Sequence, residues 1–399
     1  MDRLVLHVHD KTPGGGGVRR HVEDLRDGLP AHGWRMRSLR LARPGEPAAP
    51  EADDATAPLR FTADARPDAA ARAVSSAAAA AGAVHLHLGF TALSPALVDA
   101  AADAAPLVVG LHDVAPFCPG GSRLTWPRRI PCQARVGPGC WLGFCAGQGR
   151  PRAFAAGLAS LPARTAVWRR LLARAAAFLA PSRYIGALAQ AAGAPEDRLL
   201  IAPHGVAWAE EPHCVEPPSA AGPTAVFVGR LDALKGAALL LEAFAAVRTP
   251  EARLVLVGDG PLRDTIAARI AAPDLAGRVR MAGAADRAGV RAALCAARVA
   301  VAPSLIPESF GLSGVEAMAL GRPVVATPRG GVLDWLAPGE TGLAAAPEPL
   351  ALAAALDALL AQPELADRMG AAGRARAAAL YTPARMLAAV AGCYDRVAA

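Results

Sequence analysis

Two glutamates, Glu308 and Glu316, stand eight residues apart across Phe310-Gly311 in the stretch 303–321, PSLIPESFGLSGVEAMALG. An apolar run at 298–302 leads into it, and a Pro- and Gly-punctuated turn carries Glu308. Leu312, Val315 and Ala319 then recur on one face of a helical pattern that carries Glu316. The first amides of such a helix point outward and favour an anion, so the mouth between the two acids suits a phosphorylated ligand. A plain strand-turn-helix edge with exposed acids is the competing reading. Cations for a phosphate are scarce in one informative way: the only lysines among 42 basic residues are Lys11 and Lys235. A chain that otherwise uses arginine keeps lysine where a compact point charge is wanted, and phosphate is one such place.

Two further groups could do chemistry. His112-Asp113 follows an apolar run at 107–111, at the carboxyl end of a strand, where it could touch substrate, move a proton, or simply bond within a loop. Cys118, Cys132, Cys140 and Cys145 are four of the seven cysteines and fall in one Gly/Pro-rich segment with little apolar content. A tetrahedral thiolate site, most simply a structural zinc, would close such a segment, although the spacing is not the paired CxxC pattern and free or oxidised thiols are the alternative. Cys214, Cys295 and Cys393 are isolated in sequence and read as packing residues.

The elements that must position these residues alternate. Residues 4–8 form an apolar run, a glycine-rich turn KTPGGGG follows, and Val18, Val22, Leu25 and Leu29 give an amphipathic helix ending near Gly33. Residues 83–88, 107–111, 178–182 and 199–206 read as further strands. The basic helical stretch at 150–177 covers a sheet or lies on an anionic membrane surface. Residues 210–223, rich in Pro and Glu without apolar periodicity, read as a linker. Beyond it, strands at 225–229, 254–257, 279–283, 299–302 and 324–327 alternate with helices. Strands separated in this way form parallel sheets with helices on both faces. The expected architecture is therefore α/β: a first domain at 1–209, the linker at 210–223, a second domain at 224–381 and a final helix at 382–399, with a ligand cleft between the domains.

Composition narrows the class. A net charge of +7 over 399 residues is modest and spread out, and aromatics are not interleaved with basic clusters, so nucleic acid is not expected as a partner. Asp2, Arg3, His7, His9 and Asp10 interrupt the first apolar run and argue against a secretory leader, and no uncharged run is long enough to span a bilayer. A cytoplasmic protein is expected.

Taken in order and spacing, GRLDALKG at 229–236, GDG at 258–260, ESFGLSGVE at 308–316, GRPVVAT at 321–327 and PGETG at 338–342 resemble the retaining family 4 glycosyltransferases of the GT-B fold. GGVRRHVEDL from Gly16 resembles that family's glycine loop, with Arg19 where an acid is common, and PHG at 203–205 matches with His204 where asparagine is usual. A cysteine-bearing loop after a His-Asp pair occurs in a subset of these enzymes. The likeness implies two Rossmann-like domains with a C-terminal helix crossing back to the first. It implies a nucleoside-diphosphate sugar as donor and no cofactor; uridine is favoured over guanosine only because UDP-sugars are common donors. It also assigns roles. Arg230 and Lys235 would grip the diphosphate, Glu316 the ribose and Glu308 the transferred sugar. Amides of Phe310, Gly311 and Leu312 would cap sugar or phosphate, Gly258 would belong to the same donor-binding set, and His112 would face the sugar. Gly16 and Gly17 would close on phosphates or acceptor. A small-molecule acceptor such as an aminocyclitol, a lipid or glycan at a membrane surface, and an epimerase without acceptor all remain compatible.

Overall fold

The computed structural model describes residues 3–9, 17–42, 60–64, 67–87, 89, 92–125, 130–132, 136–137, 139–142, 145, 155, 159–211 and 214–399. Lys11, Gly16 and most of the glycine turn lie outside the described residues. The chain forms two compact units, Met1–Gly205 with Ala384–Ala399, and Val206–Pro383.

The first unit is a seven-stranded, all-parallel sheet of β1 (Arg3–His9), β2 (Trp34–Ala42), β3 (Arg60–Asp64), β4 (Ala83–His87), β5 (Leu107–Gly110), β6 (Ala175–Ala180) and β7 (Leu199–Ile201). Their order is β3-β2-β1-β4-β5-β6-β7. Helices α1 (Gly17–Gly28), α2 (Pro67–Ala77), α3 (Pro95–Ala104), α4 (Gly139–Leu142), α5 (Leu161–Arg174) and α6 (Arg183–Ala191) connect them. Side chains alternate across the sheet. Leu6, Val8, Val84 and Leu86 join one core, while Val5, Ala83 and Val108 join a second core with Leu25 of α1 and Leu29 of the turn that follows it. Ser182 starts α6 by accepting from the Ile185 amide at 3.2 Å, which satisfies an otherwise orphaned donor. The basic helix α5 buries Val167 and Leu171 and pairs Arg170 and Arg174 with Asp99 and Asp103 of α3, so it covers the sheet.

The second unit is a six-stranded parallel sheet of β8 (Thr224–Val228), β9 (Arg253–Val257), β10 (Val279–Gly283), β11 (Val299–Ala302), β12 (Val324–Ala326) and β13 (Gly342–Ala344), in the order β10-β9-β8-β11-β12-β13. Its helices are α7 (Ala237–Ala245), α8 (Arg263–Ile270), α9 (Arg287–Cys295), α10 (Leu312–Ala319), α11 (Val332–Trp335), α12 (Pro349–Leu360) and α13 (Pro363–Leu380). The last helix, α14 (Pro383–Ala398), returns to the first unit, where Met386, Val390, Ala391 and Tyr394 are buried beside Val5, Ala83 and Val108. Asp395 of α14 accepts from Trp34 Nε1 at 2.9 Å and pairs with Arg3.

Two sequence expectations need correction here. The described part of the expected linker at 210–223 packs with the second unit: Pro218 is buried, and Arg322 and Arg298 donate to the carbonyls of Glu216 and Ala221, each at 2.6 Å. Cys214 and Cys295 are not isolated thiols. They form a disulfide with a Cα–Cα distance of 5.4 Å, tying this segment to α9 across 81 residues. Cys393 is a buried thiol, as expected of a packing residue. No single helix among the described residues is long and apolar enough to cross a membrane.

Candidate active site

In the second unit β9 lies on one side of β8 and β11 on the other, so the chain leaves β8 and β11 in opposite directions. That switch point opens a crevice at the carboxyl ends of the strands, where open α/β sheets bind ligands. The loops around it interlock backbone to backbone. Gly258, after β9, has φ +142°, and a Cβ there would sit 1.9 Å from the Gly229 carbonyl oxygen. Gly236 has φ +79°, and its Cβ would sit 2.0 Å from the Pro303 carbonyl oxygen. Only glycine allows both the left-handed backbone and the approach. The Leu305 amide donates to the Leu234 carbonyl at 2.8 Å, which locks the loop after β11 onto the loop after β8.

This locking brings the predicted charges together. Lys235 Nζ donates to both oxygens of Glu308, at 2.7 and 2.8 Å, with the Glu308 carboxylate mostly shielded and the lysine more open. The Asp232 carboxylate accepts from the Leu234 and Lys235 amides, both at 2.9 Å, and shapes the turn that presents Lys235. Burial would raise the Asp232 carboxyl, but the Lys235 amide, the Arg230 guanidinium and the Leu234 amide together hold it below the usual range. Arg230 bonds to Asp232 at 2.8 Å and is otherwise 68% exposed, so its remaining donors face water.

Glu308 sits where its backbone bridges to Gly330, and the Gly331 amide donates to its carbonyl at 2.7 Å. Three residues on, Gly311 takes φ +90° and starts α10 with no side chain capping the first turn. Trp335 holds this start: its indole N–H donates to the Phe310 carbonyl at 2.6 Å, and its ring packs within 2.2 Å of where a Cβ on Gly314 would stand. Phe310 is itself buried, with its ring 5.6 Å edge-on from Tyr381. The uncapped first turn therefore lies beside Glu308 and Lys235, and Glu316 lies one turn along on the same helix, buried to 9% exposure. Arg230, Lys235, Glu308, Phe310, Gly311, Leu312, Glu316 and Gly258 thus all fall on the loops and helix at one edge of one sheet.

In the first unit His112 follows β5, and its Nε2 lies 2.8 Å from His87 Nδ1. Asp113 accepts from the Ala115 amide at 2.7 Å and forms a turn. Around His112 the edge of the sheet is lined with histidine. His21 of α1 lies 5.3 Å from it ring to ring, and His204 bonds to His21 at 3.1 Å. Burial is the main cause that holds His21, His85 and His87 well below the ordinary imidazole range, His7 at about 3 and His204 at about 4, so these rings are neutral at pH 7. Gly17 opens α1.

In the cysteine segment Leu124 is bridged antiparallel to Pro131, and the Cys132 amide donates to the Arg123 carbonyl at 2.7 Å. Burial pushes the Cys140 thiol up, and charge on Cys118, Cys132 and Cys145 acts the same way. Among the described residues no three of these sulfurs fall within 4.8 Å of one another, a wider arrangement than a tetrahedral zinc with Zn–S of about 2.3 Å requires. Beside this segment a cavity of about 430 Å³ is lined by Phe117, Arg123, Arg164, Trp168 and Leu188.

Comparison with known proteins accounts for both units. Residues 15–207 match the Glycosyltransferase Family 4 profile, and residues 215–376 match Glycosyl transferases group 1. Alr3699/HepE of Anabaena, solved with UDP and glucose, superposes with a TM-score of 0.71 at 19% identity over 98% of this chain and 99% of that one. The chain belongs to the family 4 glycosyltransferases of the GT-B fold. Sucrose-phosphate synthase from Thermosynechococcus elongatus shares the fold equally well, with a TM-score of 0.71 at 20% identity over 99% of this chain and 98% of that one. Among relatives by sequence, the phosphatidyl-myo-inositol mannosyltransferase of Mycobacterium leprae is 41% identical over 38% of this chain, and the alpha-D-kanosaminyltransferase of Streptomyces kanamyceticus 31% identical over 44%. The matched stretches span only 41% and 46% of those relatives' lengths.

Two features of the sites were missed in the sequence. Trp335, which fixes the start of α10, carries no local signal because its partner Phe310 is 25 residues away. The histidine edge did carry one: His7-Val8-His9 in β1 and His85-Leu86-His87 in β4 alternate with period two, which places histidines on one face of neighbouring strands.

Proposed function

We propose that this chain transfers a sugar, with retention of configuration, from a nucleoside-diphosphate sugar to a hydroxyl acceptor, and that the second unit's crevice holds the donor. The observation that carries the reading is the Lys235–Glu308 pair beside the uncapped start of α10. A cation and a hydrogen-bond-accepting anion side by side, next to outward-pointing amides, complement a sugar joined to a phosphate. The ammonium and amides take phosphate oxygens and the carboxylate takes sugar hydroxyls. Arg230 adds a second cation from the exposed side, and Glu316 takes the ribose hydroxyls.

The chemistry follows from where charge develops. As the glycosidic bond breaks, the sugar becomes oxocarbenium-like and negative charge grows on the departing diphosphate, where Lys235 and Arg230 stabilise it. The acceptor then attacks from the face the diphosphate leaves, with a phosphate oxygen taking its proton. Glu308 and Glu316 bind, and neither acts as a nucleophile.

Uridine is the favoured base, supported by the UDP in the Alr3699/HepE structure. The acceptor we favour is a small hydroxyl-bearing molecule such as an aminocyclitol. The likeness to phosphatidyl-myo-inositol mannosyltransferases supports a second reading, mannosyl transfer to a lipid acceptor at a membrane surface. Nucleotide release from UDP-glucose, UDP-N-acetylglucosamine and GDP-mannose, with and without each acceptor class, separates them. Release that rises with a hydroxyl acceptor supports transfer. Sugar rearrangement or release that ignores every acceptor points to an epimerase or hydrolase and overturns it.

A further inference from the structure

The donor site proposed above lies in the second unit and leaves the buried histidines of the first unit's sheet edge unexplained. Strands β1 and β4 pair in parallel with His7 opposite His85. His7, His85 and His87 are completely buried beneath α14, and one ring nitrogen of each lies within 4.8 Å of the other two. Every ring is held from behind. His7 Nε2 lies 3.1 Å from Tyr394 Oη, His85 Nδ1 lies 2.6 Å from the same hydroxyl, and His87 Nδ1 lies 2.8 Å from His112 Nε2. Their remaining nitrogens are His7 Nδ1 and His87 Nε2, 2.9 Å apart, and His85 Nε2, which is buried without a hydrogen-bond partner. Beside His85 Nε2 the backbone passes through Gly110, where a Cβ would stand 3.2 Å away and fill the space.

We propose that His7 Nδ1, His85 Nε2 and His87 Nε2 form a binding site for a divalent transition-metal ion of the zinc class. Three neutral imidazoles with no carboxylate among them suit zinc, nickel or copper and do not suit calcium or magnesium, which take oxygen ligands. An orphaned buried nitrogen is costly, and a metal bond removes that cost. The surroundings match what metal-bound histidine needs, an acceptor for its second N–H. The Tyr394 oxygen has two lone pairs and stands against His7 and His85, and His112 Nε2 stands against His87. The ion would fasten β1 to β4 and, through Tyr394, to α14. It would also fix His112 as the Nδ1–H tautomer, because His87 would donate to its Nε2. The site therefore joins the returning helix to the histidine at the edge of the sheet.

Full-length protein carrying no histidine tag, stripped with a chelator and titrated with cobalt(II), tests this. The expected result is one equivalent bound, with visible ligand-field bands, no thiolate-to-cobalt charge-transfer band, and a raised melting midpoint. His85→Gln is expected to weaken binding at least about a hundredfold. Tyr394→Phe, which removes the outer acceptor of two ligands, is expected to weaken it about 10–100-fold. Cys132→Ser should leave it unchanged. Three results overturn the proposal: no stoichiometric binding, a charge-transfer band that disappears in Cys132→Ser, or wild-type affinity in His85→Gln. If His85→Gln does not fold, the wild-type spectrum still decides, since nitrogen and thiolate ligation differ in that band.

Discussion

The carboxyl edges of the two sheets invite comparison because the scaffold is shared and the chemistry is not. Both sheets are parallel, yet the second unit lines its edge with Arg230, Asp232, Lys235 and Glu308, partly open to water, while the first lines its edge with neutral, buried imidazoles. Burial decides the difference. Ionic side chains kept near water, each beside an opposite partner, can meet a diphosphate. Imidazoles withdrawn from water lose theirs, and what remains is lone pairs and N–H donors arranged in a chain. The same fold thus provides a polar edge in one half and a buried, uncharged network in the other.

Perturbing one unit should leave the other's readout alone. The largest expected effect on stability is at the disulfide. Cys214→Ser opens an 81-residue loop and should lower the unfolding free energy of the second unit by about 4 kcal/mol, read as a shifted denaturant midpoint while the first unit's transition stays in place. At the charged edge, Lys235→Ala should lower turnover at least about a hundredfold, about 2.7 kcal/mol of transition-state stabilisation, without shifting either unfolding transition by a comparable amount. Unchanged kinetics would remove Lys235 from the site.

At the histidine edge the expected response is to pH. His204, facing His21 and His112, has its folded pKa lowered by burial from 6.5 to about 4, so the unfolded chain binds more protons in that window. Its contribution is present above pH 6.5 and lost as pH falls toward 4. His204→Asn should therefore flatten the acid limb of the first unit's stability profile by up to about 1.4 kcal/mol per pH unit between those values. An unaltered slope would mean that His204 titrates normally. Smallest is the helix cap: Ser182→Ala should cost about 1 kcal/mol in the first unit by urea unfolding and leave donor affinity unchanged.

How much of this could be read beforehand follows the range of each interaction. The alternating strands and the turn and helix positions of Lys235, Glu308 and Glu316 were legible because glycine turns and helical periodicity are written within a few residues. The pairing of Lys235 with Glu308 was not, since it spans 73 residues and depends on β8 lying beside β11. The Cys214–Cys295 bond was hidden for the same reason. Its segment also looked like a linker, because its backbone is satisfied by arginines from distant elements and not by any periodicity of its own. The alternating histidines of β1 and β4 were legible as a pattern, but their meaning required the register between strands about 80 residues apart.

The central claim is that the second unit's charged edge is the nucleotide-sugar site. Calorimetric titration of UDP-, GDP- and ADP-sugars into wild type, Lys235→Ala and Glu316→Gln tests it most directly. The account predicts that one nucleotide sugar binds wild type with unit stoichiometry and at least about tenfold more weakly to each variant, with the folded state of both variants intact. Equal affinity in all three proteins, or no binding of any nucleotide sugar to wild type, would contradict it.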